Sequence, residues 1–445
     1  MASAAEQLAA NLNLGVFSKA TELKKRIWFT LAALIVYRIG TYIPVPGVDA
    51  SVMTEMLQQH GGGILGMFDM FTGGALRRMT VFALNIMPYI SASIIIQLMT
   101  AAVPTLEALK KEGETGRKKL NQYTRYLTVL IAMVQSYGIA VGLESMRGSF
   151  GAAVIDPGWF FRFSCVITLV GGTMFLMWIG EQITARGVGN GTSLIIMSGI
   201  VANLPNALAS LLDLGRTGAL SPFFIVGFIV LAVFVIAFIV FIERAQRRIA
   251  IQYPKRQVGN RMFGGDSTHM PLKINTSGVI PPIFASSILL IPATIAGFSA
   301  SNSPWLQWIS SELSHGSPLY MAIYAAMIIF FSYFYTAVVF NPQETADNLK
   351  KYGGFIPGIR PGSATADYFD HVLTRLTTVG GLYLVAVCLL PEVLISDYGL
   401  PFYFGGTSIL IVVSVTMDTV TQIQSHLLAN QYEGLIRKAR VRGHR

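Results

Sequence analysis

The 445-residue sequence predicts an all-α, polytopic membrane protein with ten transmembrane helices, and two observations carry this prediction. First, 53% of the residues are hydrophobic, only 13% are charged, and the mean hydropathy is +0.55. Soluble proteins contain roughly 25% charged residues, so this chain lacks the charge to cover a water-facing surface. Second, the apolar residues are concentrated in ten stretches of about 20 residues, the length that crosses a bilayer as a helix.

The ten predicted spans follow one another along the chain. They cover residues 23–43, 75–101, 123–143, 159–180, 190–212, 219–242, 274–298, 318–340, 372–392 and 402–424. Three connections are long and polar, at residues 102–122, 243–273 and 341–371. No other stretch is long enough to fold as a soluble domain, so we expect one membrane-embedded unit.

Ten spans divide into two halves of five, residues 23–212 and 213–424, flanked by short segments at 1–22 and 425–445. Because each half has an odd number of spans, the second half is inverted relative to the first. Such an architecture places a site or a pore at the membrane midplane. Similarity between the halves is too weak to identify a repeat, so this expectation rests on the number of spans.

The distribution of Lys and Arg predicts that both termini are cytoplasmic. With the N-terminus inside, all but six of the 33 basic residues fall in cytoplasmic segments, as the positive-inside rule requires. The six exceptions are Arg38, Arg77, Arg78, Arg147, Arg162 and Arg216. Residues 1–21 contain no apolar core followed by a small-residue cleavage site, so no removable signal peptide is predicted.

A short apolar segment lies between the first two spans, at residues 61–74, with glycines at both ends. A helix over residues 64–72 would be about 14 Å long, roughly half the hydrocarbon thickness. Its apolar side chains are Ile64, Leu65, Met67, Phe68, Met70 and Phe71. The segment is either an interfacial amphipathic turn or a re-entrant piece that occupies a cavity.

Two predicted spans carry proline near their middles: Pro88 in 75–101, and Pro281 and Pro282 in 274–298. Proline frees a carbonyl group and bends a helix, so we expect kinks at these positions. Such kinks often have a purely structural role in membrane helices. The alternative is a gate, because kinked helices with polar faces separate more easily than helices packed through Leu and Ile.

The sequence shows no apparatus for catalysis or ion coupling. It has no phosphate-binding loop, and the glycine run at 187–191 follows a span instead of the strand that dinucleotide binding requires. The six histidines are scattered, and Cys165 and Cys388 lie in apolar runs, so no metal site or disulfide is predicted. Asp418 is the main candidate for an intramembrane acid. A passive pore, powered from outside and without a cofactor, is the function that remains.

Several long motifs resemble the SecY family, the central subunits of bacterial protein-conducting channels. The motifs are FALNIMPYISASIIIQL at 82–98, MFLMWIGEQIT at 174–184, GVGNG at 187–191, FNPQETADNLK at 340–350, PGIRPG at 357–362 and FYFGGTS at 402–408. The resemblance runs nearly end to end and is weakest over residues 1–20, 144–158 and 299–317. It implies two five-helix halves that form a clamshell.

The resemblance also implies the function and the partners. Such a channel moves unfolded secretory proteins across the bacterial cytoplasmic (inner) membrane and releases hydrophobic segments sideways into lipid. The implied partners are the SecE and SecG subunits, the SecA motor ATPase, the ribosome with its RNA and proteins, signal sequences, nascent membrane proteins and membrane lipids. YidC and SecDF are further candidates. No cofactor and no enzymatic activity are implied.

Matching to the family's motifs assigns a pore ring, a constriction of apolar side chains. Its residues are Ile86, Ile90, Thr192, Ile196, Ile283 and Ile411. Without the family match, each isoleucine would be interpreted as ordinary lipid-facing packing. Thr192 departs from the usual aliphatic residue, and its hydroxyl makes the ring more polar. Asn85 stands where the family more often has glycine, a departure that bears on how closely another helix approaches.

The resemblance makes residues 64–72 the plug of the channel, and residues 75–101 and 274–298 the two walls of its lateral gate. The gate residues are Ser91, Gln97, Asn275, Thr276 and Ile291. We expect the two walls to touch when the channel is idle and to part when a signal sequence enters.

The basic loops 243–273 and 341–371 are the predicted docking surface for a cytosolic motor or a ribosome. The candidate residues are Arg247, Arg248, Lys255, Arg256 and Arg360. For each single charge the alternative is simple positive-inside topology. Arg360 is a stronger candidate, because Pro-Gly pairs on both sides stiffen its loop. The same surface suits ribosomal RNA phosphates, without base specificity.

Two other classes of protein compete with the channel. An inverted-repeat secondary transporter would have a compact polar site at the midplane and a saturable flux of small solutes. A membrane-embedded enzyme would need a catalytic dyad, which the sequence does not show.

Overall fold

The computed structural model describes residues 21–52, 54, 69, 72–145, 147–148, 151–217, 221–253, 256–258, 261–263, 267–299, 312, 317–398 and 406–442. The helices are α1 (Thr21–Gly40), α2 (Met87–Ala102), α3 (Pro104–Lys111), α4 (Glu114–Ser145), α5 (Trp159–Arg186), α6 (Gly191–Arg216), α7 (Pro222–Arg244), α8 (Ile280–Ser299), α9 (Pro318–Val339), α10 (Pro342–Lys351), α11 (Ser363–Tyr398) and α12 (Gly406–Arg442). The strands are β1 (Arg147–Gly148), β2 (Gly151–Ala152), β3 (Gln246–Gln252), β4 (Arg256–Val258), β5 (Arg261–Phe263) and β6 (Ser267–Lys273).

Each of the ten predicted spans contains a helix, which confirms an all-α, multi-pass membrane protein. Among the described residues, seven helices are long and apolar enough to cross a membrane, or eight if α2 and α3 form one span bent by 99°. The helices α1 and α8 are not among the seven. The predicted number of ten spans is therefore not reached by length and composition alone.

The predicted kinks at Pro88, Pro281 and Pro282 are wrong. The helix α2 begins at Met87 and α8 begins at Ile280, so all three prolines lie in the first turn of a helix. The first turn tolerates proline, because its N–H groups have no partner within the helix. The residues at 75–86 and 274–279, which we assigned to the spans, form turns and bends instead.

The backbone conformation of Asn85 explains in part why α2 begins only at Met87. Its φ is +51°, in the left-handed region that β-branched and bulky residues avoid. Glycine reaches this region without cost, and asparagine is among the other residues that tolerate it best. The backbone conformation just before α2 is therefore one that suits asparagine or glycine.

Two bundles of helices meet along a shared apolar core. In the first half, α2 packs on α4, α4 on α5 and α5 on α6; in the second, α8 packs on α9, α9 on α11 and α11 on α12. The halves touch where α2 meets α8 and where α6 meets α12. One continuous cluster of buried apolar side chains, here called the central cluster, draws on both halves. Because lipid chains are as apolar as these side chains, close van der Waals packing and interhelical hydrogen bonds hold the two halves together in the membrane.

The long connections at 243–273 and 341–371 form a second, smaller unit. The strands β3 and β6 pair antiparallel from Gln246↔Lys273 to Gln252↔Ser267. Phe355 extends this hairpin through two backbone hydrogen bonds to Gln252, of 2.9 and 3.0 Å. A buried cluster beneath the hairpin, here called the hairpin cluster, contains Ile249, Leu272, Ile356, Phe369 and Leu373. The hairpin is thus fixed against the start of α11.

Candidate functional site

The structure brings five of the six predicted ring residues into one apolar region. Ile86, Ile90, Ile196 and Ile411 are buried members of the central cluster, and Ile283 is partly buried against it. They come from the start of α2, from α6, from α8 and from α12, and therefore from both halves. Branched apolar side chains from opposite halves can close a pore without hydrogen-bonding to what passes through it.

Thr192 is placed differently. It lies in the first turn of α6, where its backbone N–H and its hydroxyl donate to Oδ1 of the N-cap residue Asn190, at 3.2 and 2.7 Å. Such an N-cap bond stabilises a helix by about 1 kcal/mol. The Thr192 hydroxyl therefore bonds to the N-cap residue at the helix terminus, one turn before Ile196 of the central cluster.

The two predicted gate walls touch through α2 and α8. The Ser287 hydroxyl lies 3.8 Å from Sδ of Met87, and Ser91 is buried on α2. Gln97 donates to Ser93 Oγ at 3.3 Å, while its own Oε1 has no hydrogen-bond partner in the described part of the chain. The side chain of Ile291 lies outside the described residues. The Met87–Ser287 contact joins the two walls, and buried apolar side chains of both helices belong to the central cluster.

Asn275 and Thr276 are not on the gate helix, contrary to our expectation. They lie in the turn before α8, and Gly278 of this turn has a φ of +62°. Pro281 and Pro282 follow at once, and a residue before proline avoids the helical region, so the helix does not extend further back. Asn275 is 2% exposed and donates to Glu243 Oε1 at 2.7 Å, whereas Thr276 bonds only to the Lys273 carbonyl at 3.0 Å.

The six predicted plug side chains, from Ile64 to Phe71, lie outside the described residues. Asp69, within the same segment, is described and is 5% exposed. Its Oδ1 accepts from the Arg77 backbone N–H at 2.7 Å, and its Oδ2 lies 3.4 Å from Arg77 Nε. Gly73 is tied to α1 by Arg38, whose Nη1 donates to the Gly73 carbonyl at 3.3 Å. The end of the plug segment is thus anchored on α1 and on the turn at 75–79.

Burial raises the pKa of the Asp69 carboxyl, and the hydrogen bond and positive charge of Arg77 offset only part of this effect. A carboxyl with a raised pKa stabilises the fold most at low pH, and this contribution is lost as the pH rises through the raised pKa. We expect Asp69→Asn, which keeps an oxygen for the Arg77 N–H, to be at least as stable as wild type at pH 7. We expect Asp69→Ala to lose about 1–3 kcal/mol, because it leaves that N–H unpaired.

Thermal unfolding of the purified protein at pH 5 and pH 7 tests this prediction. The melting temperature of wild type should rise relative to that of Asp69→Asn as the pH falls. A difference that does not change with pH, or equal losses in the Asn and Ala variants, would contradict the argument.

The predicted docking residues that are described lie on one unit. Arg247 and Arg248 are exposed on β3. Arg360 is exposed in a loop between two glycines, Gly358 with φ +82° and Gly362 with φ +117°. Its carbonyl accepts from the Thr365 hydroxyl at 2.9 Å, which ties the loop to the start of α11. The side chains of Lys255 and Arg256 lie outside the described residues.

Two carboxylates of this site, Glu243 and Asp69, were not predicted from the sequence. Glu243 lies one residue beyond the predicted end of its span and was grouped with a basic loop, yet it is the partner of Asn275. Asp69 lies in the apolar segment 64–72, and no role was predicted for its carboxylate. A single acid beside an apolar run was the available signal in both places. In the part of the chain that the structure describes, no group of three His, Cys, Asp or Glu side chains could hold a metal ion.

The described structure is that of a multi-helix membrane protein whose two halves meet at an apolar centre. The SecY family model matches residues 80–420. A SecY protein translocase subunit of Rickettsia conorii is 57% identical over 96% of this chain and 99% of its own length, and that of Escherichia coli K12 is 56% identical over 95% and 96%.

Solved structures agree on the fold. A structure of a protein-conducting channel has a TM-score of 0.66 at 17% identity, and covers 91% of this chain and 92% of its own. Sec61 in a canine ribosome-channel complex has a TM-score of 0.61 at 16% identity, with the same coverage. The chain belongs to the SecY family. It is a subunit of a protein-conducting channel and not an enzyme.

Proposed function

We propose that this chain forms the conducting path of a bacterial secretion channel in the cytoplasmic membrane, with both termini in the cytoplasm. The observation that carries the proposal is the meeting of Ile86, Ile90, Ile196, Ile283 and Ile411, from both halves, in or against the central cluster. We assign Thr192, at the start of α6 and one turn before Ile196, to the same ring. The positive-inside pattern of the loops supports the orientation.

The proposed constriction works by being apolar and deformable. A narrow ring of isoleucines resists wetting, and therefore ion leak, when the channel is idle. Because the side chains make no directional bonds, they yield to any residue of an unfolded chain. The proposed inverted halves, 23–212 and 213–424, can then move apart like a clamshell around the ring.

The proposed lateral gate is the seam between α2 and α8, with Ser91, Gln97 and Ile291 on its walls. The Met87–Ser287 contact supports this assignment, since one weak polar contact costs little to open. Asn275 and Thr276 belong to the turn at the foot of α8. Signal sequences and nascent membrane helices would leave the channel into lipid along this seam.

The proposed plug is residues 64–72, resting against the ring. Deleting residues 64–71 while keeping Thr72 and the glycines is expected to raise the ion conductance of the idle channel several-fold, because the ring alone would then seal the pore. Conductance in planar bilayers is the measurement. Equal conductance in wild type and the deletion variant, with the ring intact, would refute the plug.

The proposed partners follow from the basic unit and from the relatives. Arg247, Arg248, Lys255, Arg256 and Arg360 would dock the SecA motor ATPase or the ribosome, including phosphates of its RNA. SecE and SecG would complete the channel, lipids would surround it, and YidC and SecDF are further candidates. The solved Sec61 channel bound to a canine ribosome supports a ribosome partner.

Reconstitution tests the function directly. The chain, purified with the subunits that accompany it, is placed in lipid vesicles with the motor, ATP and an unfolded secretory precursor. We expect the precursor to become protected from external protease, and to remain exposed without ATP. A saturable flux of small solutes with no precursor protection would instead favour the transporter.

A further inference from the structure

The hairpin of β3 and β6 continues directly into two membrane helices. A single residue, Ala245, lies between the end of α7 at Arg244 and the start of β3. On the other side of the hairpin, the turn at 274–279 joins β6 to α8. The ladder extends past the strands, since the Ile274 N–H donates to the Ala245 carbonyl at 3.1 Å. No flexible linker lies between the hairpin and the helix that forms one wall of the proposed gate.

The side chain of Asn275 makes the hydrogen bonds that hold the turn between the hairpin and α8. Its Nδ2 donates to Glu243 Oε1 at 2.7 Å and to the Gly278 carbonyl at 3.0 Å, and its Oδ1 accepts from the Ser277 hydroxyl at 3.0 Å. The side chain therefore ties the last turn of α7 to the turn from which α8 starts. Because Asn275 is buried, losing one of these partners would leave a polar group without water or protein to replace it.

The helix α11 closes the other side of this turn. A Cβ atom added at Gly380 would lie 3.0 Å from the Ile274 carbonyl oxygen and 3.4 Å from Asn275 Cα. The backbones of α11 and the turn thus pack without an intervening side chain. The same α11 carries Phe369 and Leu373 of the hairpin cluster, so the hairpin and the foot of α8 share one support.

The Glu243–Asn275 bond is short, at 2.7 Å, and a bond of this kind to an ionised carboxylate is stronger than one between neutral groups. The positive charge of Lys273 and the negative charge of Asp418 both act on Glu243. Glu243 is held by a short bond, and glutamine in its place keeps an oxygen acceptor for the Asn275 amide.

We infer that Glu243 and Asn275 form a joint that positions α8 relative to the hairpin, so that a partner docking on the hairpin moves α8 away from α2. Both are positioning residues, because neither lies in the proposed ring or on the proposed docking surface. The inference rests on the proposed function, since it assumes that the hairpin is the docking surface and that α2 and α8 form the gate. Coupling through a short rigid connection needs direct evidence, which a paired exchange of residues supplies.

The experiment uses the full channel complex in lipid vesicles, with cysteines replacing Met87 and Ser287 and a short thiol crosslinker to report contact between the gate walls. Three joint variants are compared: Glu243→Gln, Asn275→Asp and the double exchange. Glu243→Gln keeps an oxygen acceptor for Asn275. Asn275→Asp removes the amide that donates to Glu243 and to the Gly278 carbonyl, and the double exchange restores the first of these two bonds through a new amide at position 243. Thr276→Val is the matched control, because Thr276 bonds only within its own turn.

Motor binding and crosslink yield are measured together, with and without bound motor. In wild type we expect docking to lower the crosslink yield. In Asn275→Asp we expect motor affinity to stay within about twofold, while the response of the crosslink falls roughly fivefold or more, the lower end of usual coupling between sites. Glu243→Gln and Thr276→Val should respond like wild type, and the double exchange should recover at least half of the response.

The outcomes separate the joint from the proposed function. If Asn275→Asp binds the motor and opens the gate like wild type, the joint is refuted and the docking surface stands. If the double exchange binds the motor but does not recover the response, the role of the pair is only structural and the inference is again overturned. If the motor does not bind the wild-type complex, the proposed docking function itself fails.

Discussion

Replacing Arg360 by glutamate is expected to abolish motor-driven export. The guanidinium is presented by a loop whose shape is set by Gly358 and Gly362, both with positive φ, and by the Thr365 bond to the Arg360 carbonyl. A charged contact of this kind is worth about 1.5–3 kcal/mol, or roughly 10- to 150-fold in affinity. The glutamate also repels the acidic partner that a basic surface attracts, so the loss exceeds that of the contact alone.

The neighbouring variants sharpen this prediction. Arg360→Lys should impair export only partly, because lysine keeps the charge but not the planar fork of donors. Lys351→Glu is the matched control: it makes the same change of charge at an exposed residue of the same connection, at the end of α10. Membrane insertion should survive in all three, since one charge among many barely changes the positive-inside bias.

Translocation of a secretory precursor into vesicles that hold equal amounts of each channel is the measurement. Export by Arg360→Glu at the wild-type rate would mean that this arginine contributes only to topology. Equal losses in Arg360→Glu and Lys351→Glu would point to a general effect of charge instead of a docked residue.

Crosslinking the two gate walls is expected to block export. In Met87→Cys with Ser287→Cys, the substituted positions lie where the native side chains approach to 3.8 Å, so a short cleavable thiol crosslinker should join α2 to α8. A channel that must open along this seam would then be held shut. Cleavage of the crosslinker should restore export, because the contact removed by the substitutions is weak.

A second pair of cysteines controls for the chemistry. Tyr333 on α9 and Thr378 on α11 share a hydrogen bond of 2.6 Å, and both helices belong to the same half. Crosslinking Tyr333→Cys to Thr378→Cys should leave export unchanged. The native thiols, Cys165 and Cys388, are buried and are replaced by alanine to remove background. Full export through a channel with a quantitative Met87–Ser287 crosslink would disprove the gate.

The sequence was sufficient for the membrane class and for predicting a helix in each of the ten segments, because a bilayer imposes a length and a composition on every helix that crosses it. It was also sufficient to exclude the catalytic motifs, since those depend on residue types at fixed spacing. All six ring residues were assigned by motif matching, and the structure gathers the five isoleucines in or against one core. The assignment of these residues to a pore remains a prediction.

The starts of the helices could not be predicted from composition. The apolar residues at 75–86 fit a span, yet Met79 and Asn85 adopt positive φ and the chain turns until Met87. Hydropathy reports the environment of a residue and not its backbone conformation, so an apolar turn and an apolar helix look alike. The prolines were misassigned to mid-helix for the same reason.

The sequence by itself determined that this chain is a helical, multi-pass membrane protein, because that property depends on local composition. Only the tertiary structure decided that Glu243 meets Asn275, that Asp69 meets Arg77, and that the Arg360 loop rests on the same cluster as β3. Each of these contacts joins residues brought together by the packing of separate elements. Hydrogen bonds of this kind depend on distance and direction in space, which hydropathy and charge patterns along the chain do not encode.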